Sequence, residues 1–176
     1  MKKVILIFSL LLNIVGFSQI NKAVVKDFGK VFTVENPDLL LKKDKVYKVI
    51  FDVYTDSKKN SKINSSIVTV ARFLNMHKRQ GVSKKNMKIA LVLHGKATKN
   101  ALSDAAYQNK YRKKNPNSKL LNALKKANVD IFVCGQSFAS RGFSRKDLSK
   151  DVLLSLSALT ALVEYQSNGY NIINFN

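Results

Sequence analysis

The 176-residue chain carries 31 Lys and Arg against 11 Asp and Glu, a formal net charge of +20, with one Cys and no Trp. That length bounds about one domain with a genuine core, and a single cysteine excludes both an internal disulfide and a dithiol cycle within the chain. The scattered lysines attract polyanions in general, but no DNA- or RNA-reading motif accompanies them, so they read as a solvated surface and nucleic acid is not an expected partner.

Met1-Lys2-Lys3, the apolar run from Val4 to Leu12 and the small Ser18 ahead of Gln19 have the layout of a secretory signal peptide. Cleavage is expected between Ser18 and Gln19, giving a secreted or periplasmic protein. The apolar stretch falls short of the ~20 residues that span a bilayer, so no stable membrane anchor is expected. Residues 1–18 are thus read as signal peptide, 19–45 as an N-terminal extension and 46–176 as the folded domain.

Within the extension, Gly29 to Val34 has the pattern of a short edge strand, and Asn36-Pro37-Asp38 that of a turn. Val46 to Tyr54 is β-branched and aromatic, which predicts a strand. Ile63, Ile67, Val70, Ala71 and Leu74 recur at helical spacing, and Gly81 terminates that helix. A second strand is predicted over Met87 to Leu93, then a short helix around Lys99 to Tyr107 and a helix from Ser118 to Ala127. Asn128 suits the end of the latter, because Asn tolerates the left-handed conformation. Val129 to Cys134 is almost wholly apolar and predicts a central strand. After Val152-Leu153 comes a helix of roughly fifteen residues holding Leu156, Leu159, Leu162 and Val163, then Asn168-Gly169 and a last strand from Tyr170 to Phe175. Strands alternating with helices imply an α/β three-layer sandwich with a mainly parallel sheet.

In such sheets ligands gather at the carboxyl ends of strands. Two reactive side chains fall there: His94, followed by Gly95, and Cys134, followed by Gly135-Gln136-Ser137. Gly135 permits a tight turn, and Ser137 suits the cap of a short helix carrying Phe138, Ala139 and Arg141. A thiol facing a helix N-terminus among cations favours its thiolate, the nucleophilic form. The competing reading is a small buried hydrophobe. His94 is suited to positioning or deprotonating a substrate, or to a hydrogen-bonded structural role. His77, beside Lys78 and Arg79, reads as structural or surface. Arg141, Arg112 and Lys96 are candidate anion partners by nearness to the strand ends. One Cys and two His show no zinc-ligand spacing, so no metal is expected, and no motif implies a cofactor.

Several segments together resemble the DsrE/DsrF-like family. They are Asn60 to His77 with its core Thr69-Val70-Ala71-Arg72-Phe73-Leu74-Asn75-Met76, Lys88 to Gly95, Asp130 to Ser137, Leu156 to Leu162, and Gly169-Tyr170. The resemblance covers about residues 44 to 176. It implies a YchN-like fold assembled into trimers or hexamers. It also implies that Cys134 takes up and passes on sulfur as a persulfide, as a sulfur carrier or sulfurtransferase. The partners would be a small-molecule sulfur donor or acceptor, or a protein thiol. On this reading Cys134 and His94 form the catalytic pair, and Gly95, Gly135, Gln136, Ser137 and Arg141 form the pocket. The alternative is a non-catalytic module of the same fold that binds a small ligand or anion.

Overall fold

The computed structural model describes residues 23–57 and 59–175; the expected signal peptide and its cleavage point lie outside the described residues. Five strands form one sheet: β1 (Tyr47–Val53), β2 (Met87–Leu93), β3 (Asp130–Cys134), β4 (Leu153–Ser155) and β5 (Asn171–Asn174). They lie in the order β4-β3-β2-β1-β5, and every strand pair is parallel. Among the described residues five α-helices accompany them: α1 (Ser65–Arg79), α2 (Asp104–Tyr111), α3 (Ser118–Lys126), α4 (Gly135–Ala139) and α5 (Ala158–Ser167). Helices flank both faces, so the protein is an α/β layered sandwich.

The two faces differ in what they bury. Val49, Phe51 and Val53, Ile89, Leu91 and Leu93, and Ile131 and Val133 point into the main core with α1, α2 and α3. From α3, Leu120, Leu121 and Leu124 are fully enclosed there, each contributing roughly 1.5–3 kcal/mol by leaving water. The alternate residues Ile50, Ala90, Val92 and Cys134 face the other way, under Ala158 and Ala161 of α5. Because strand side chains alternate, one strand thus presents an apolar residue to the core and a reactive one to the α5 face.

Several elements depart from the sequence-based expectations. Gly29 to Val34 is not a strand. Instead Lys30 and Val31 give their carbonyls to Arg72 and Arg79, and Thr33 also accepts from Arg79, which ties the segment to α1 as a strap. Gly29 has a positive φ of 67° and lies against the α1 backbone at Arg72, where no Cβ fits. The short helix expected around Lys99 to Tyr107 is two pieces, a 3-10 turn over Gly95–Ala101 and α2, because Ser103 caps a new start. The C-terminal helix is ten residues rather than fifteen. Leu153 to Ser155 pair with β3 as an edge strand, and Ser157 caps α5 by accepting from the Thr160 N–H. That helix also turns its small residues inward: Leu156, Leu159 and Val163 are exposed while Ala158 and Ala161 are buried. The end of α3 follows expectation, with Asn128 left-handed at φ 67°.

Candidate active site

β3 ends at Cys134, and the chain turns directly into α4. The residue that caps α4 is Cys134 itself rather than the expected Ser137: its Sγ accepts from the Ser137 N–H at 3.4 Å. Sulfur here does the work usually given to a Ser, Thr, Asp or Asn oxygen, and a thiolate accepts better than a thiol. Burial pushes the Cys134 thiol up, but the Ser137 hydroxyl and the backbone N–H groups of Ser137, Ala158 and Gln136 outweigh it. The net result lies below the ordinary thiol value. Ala158 is the first residue of α5, so the sulfur sits where two helices begin. Helix N-termini carry partial positive charge and unpaired N–H groups, which favours an anion at that point.

Gly135 makes this convergence possible. A Cβ there would lie 2.5 Å from the Ser155 carbonyl oxygen and 3.0 Å from that of Leu156, so only glycine lets the β4–α5 junction close over the thiol. Cys134 itself is 5% exposed. Its surroundings are Ile50, Ala90, Val92, Ala158 and Ala161 on the α5 face, with no leucine among the buried ones.

His94 follows β2 and shares this face. Leu93 is in register with Val133, so His94 and Cys134 are the next residues along neighbouring parallel strands. The ring leans the other way, however: His94 Nε2 meets Asp52 Oδ1 at 2.6 Å, with the two side chains 23% and 11% exposed. Tyr54 packs its edge against the imidazole, with ring centroids 5.2 Å apart. No hydrogen bond joins His94 to Cys134 among the described residues. The link between the two strand ends runs through Gly95, whose N–H approaches Ser137 Oγ at 3.5 Å. Gly95 is left-handed at φ 52° and lies under the Tyr54 ring, so both its conformation and its space demand glycine.

The structure therefore brings Cys134, Gly135, Gln136, Ser137, Gly95 and His94 to one edge of the sheet. It does not bring Arg141 to the sulfur. The Arg141 guanidinium donates to the Ser137 carbonyl at 2.9 Å, at the far end of α4, and is exposed. Arg112 and Lys96 are likewise exposed. Three contributors were missed from sequence. Asp52 read as one polar residue in a strand, Tyr54 as the strand's last aromatic, and Ala158 offers only a backbone N–H. The alternation of β1 holds the one usable signal: Asp52 is a carboxylate on the same face as Ile50, a burial that demands a partner. His77 is structural, stacked on Phe73 and bonded to its carbonyl. A cavity of about 370 Å³ beside the start of α1, between Thr55 and Ser65, holds none of these residues. Among the described residues no three His, Cys, Asp or Glu side chains converge as a metal site would require.

Fold and site together define a parallel α/β domain with one amide-cradled cysteine at the carboxyl edge of its sheet. The DsrE/DsrF-like family model matches residues 48–175, and the chain belongs to that family. The comparison with curated proteins yields no match. Among solved structures, the chain is similar to MTH1491 from Methanobacterium thermoautotrophicum, itself described as a protein of unknown function. The identity is 19% and the TM-score 0.56, over 73% of this chain and 99% of that one, a likeness of fold alone.

Proposed function

We propose that the protein handles sulfane sulfur, with Cys134 as the residue that accepts and releases it as a persulfide. The observation that carries this reading is the Ser137 N–H that Cys134 Sγ accepts at 3.4 Å, at a strand end where amide groups of α4 and α5 hold the thiol below its ordinary value. Membership of the DsrE/DsrF-like family supports a role related to sulfur relay. Amides that hold the sulfur as thiolate keep it in the form that attacks a polysulfide and make it a better leaving group when the sulfur moves on.

The experiment is direct. Incubation of the purified protein with polysulfide should add 32 Da or multiples (roughly one sulfur each, as the persulfide step of cysteine chemistry requires) at Cys134, reversed by a reductant. Equal mass gain in Cys134→Ser, or none in the wild type with polysulfide and thiosulfate, would remove the proposal.

The 5% exposure of Cys134 favours a second reading, in which the thiol is part of the wall of a non-catalytic pocket for a small anion. Iodoacetamide separates the two. A carrier cysteine reacts at a rate that rises along a thiolate titration below the free-thiol value of about 8.5, whereas a wall cysteine is protected at every pH.

Two further proposals concern where and in what form the protein works. The basic start, apolar centre and Ser18-Gln19 junction of residues 1–19 support export. Association of copies, as trimers or hexamers, is supported by the exposed Leu156, Leu159 and Val163 beside the sulfur site.

A further inference from the structure

Asp52 is buried to 8% exposure in a chain rich in lysine, yet it spends its Oδ1 on a histidine. A carboxylate that accepts from one imidazole nitrogen fixes the proton there and leaves the lone pair on the other. Here Nε2–H points at Asp52, so in the neutral ring Nδ1 is the basic nitrogen; no hydrogen bond engages Nδ1 among the described residues. The ring is partly open to solvent, and its residue stands level with Cys134 on the adjoining strand. Adjacent strands run about 4.8 Å apart. A persulfide extends the cysteine by a further ~2.05 Å.

Cys134 needs no base of its own, since backbone amides already favour its thiolate. The proton that still has to be moved belongs to the acceptor. We infer that Asp52 is a positioning residue that sets the tautomer of His94, and that His94 Nδ1 takes the proton from an acceptor thiol as sulfur leaves Cys134. In that step the acceptor sulfur forms a bond to the outer sulfur of Cys134–S–SH. The bond between the two persulfide sulfurs breaks, its electron pair stays on Cys134 as thiolate, and the acceptor's proton goes to Nδ1. The outer sulfur keeps its hydrogen, the acceptor becomes R–S–SH, and no outside oxidant or reductant is consumed. The groups in contact with the imidazole are Asp52 from β1 and Tyr54 just beyond it, while Cys134 stands level on β3 and the exposed Lys96 lies two residues along the chain. The inference rests on the persulfide reading and names the substrate class of its second half: a thiol presented in its neutral form.

The test uses protein preloaded with polysulfide, its persulfide confirmed by mass, and follows discharge to β-mercaptoethanol from pH 6 to pH 10 in the wild type, Asp52→Asn and His94→Gln. Near neutrality both variants should discharge more slowly, His94→Gln by about a hundredfold, the low end of general-base contributions. Above the acceptor's pKa the thiol arrives already deprotonated, and the three rates should converge. A merely structural role predicts a deficit that persists at high pH, and that result, or equal rates at pH 7, overturns the relay while leaving the persulfide intact. Failure of the wild type to load sulfur at all overturns both. Thermal unfolding of each variant verifies that a fold is present, and His94→Gln stands in if Asp52→Asn does not fold.

Discussion

His77 and Cys134 are both buried ionisable side chains, and their environments act on them in opposite senses. Around His77, burial dominates and its one hydrogen bond, to the Phe73 carbonyl, compensates only in part, so the imidazole is held below its ordinary value. The unfolded chain therefore takes up a proton at His77 before the folded protein does. The stability associated with its neutral form is complete above the unfolded pKa of about 6.5 and drains away as pH falls toward the folded value. Urea midpoints should decline from pH 7 to pH 5 in the wild type, and that part of the decline should be missing in His77→Gln. Around Cys134, donors outweigh burial and the charged form is favoured. The residue that allows this is Gly135. Its replacement by Ala sets a methyl 2.5 Å from the Ser155 carbonyl, a contact that must push the β4–α5 junction outward. The expected loss is about 1–3 kcal/mol, in the range of overpacked interiors, measured by equilibrium denaturation.

Among the elements, α5 has two tasks: it covers the second face of the sheet, and its first N–H supports the sulfur. Ser157 governs both, because its side chain caps the helix through the Thr160 N–H. Ser157→Ala should cost about 1 kcal/mol of stability. It should also loosen Ala158 against Sγ, so that the alkylation profile of Cys134 moves to higher pH. An unchanged profile alongside the stability loss would show that α5 contributes cover and no electrostatics. The three longest strands, α1 and α3 were legible in sequence because each carries a sustained apolar run or period, and three of them end on a stop signal: Gly81 after α1, Asn128 after α3, Gly95 after β2. The short pieces were not. Leu153-Leu154-Ser155 is too brief for a period, and its pairing with β3 is decided by the sheet edge rather than by itself. Leu156, Leu159 and Val163 suggested the buried side of a helix, yet the inward positions went to Ala158 and Ala161, which let α5 lie close to the strands. The candidate site was legible to the same extent. Cys134 and His94 stood out as reactive groups at strand ends, whereas Asp52 and the Ala158 N–H are brought in from distant parts of the chain by strand order alone.

At the level of the whole molecule, charge and apolar surface are segregated. From Asp151 to Asn176 the sequence has no Lys or Arg, and between residues 152 and 176 its only acid is Glu164. That segment supplies β4, α5 and β5, and on it Leu153, Leu156, Leu159 and Val163 are all exposed. Most of the remaining surface is basic, apart from the strap, where residues 31–41 hold no Lys or Arg but carry Glu35 and Asp38. Acidic partners would be steered to the lysines. A second copy, carrying the same net charge, is repelled over the lysine-rich surface and meets no such repulsion at this neutral apolar patch, where two such chains can approach at low cost. Sedimentation of the wild type should therefore show an oligomer whose stability rises with salt, as repulsion between the basic surfaces is screened. Leu159→Lys with Val163→Lys adds like charges to the patch and removes its apolar stripe, and should leave monomers. The strap residues Phe32 and Leu40 are equally exposed and supply the control. Lysines placed there should not dissociate the assembly, and dissociation by that pair alone would move the contact between copies from α5 to the strap.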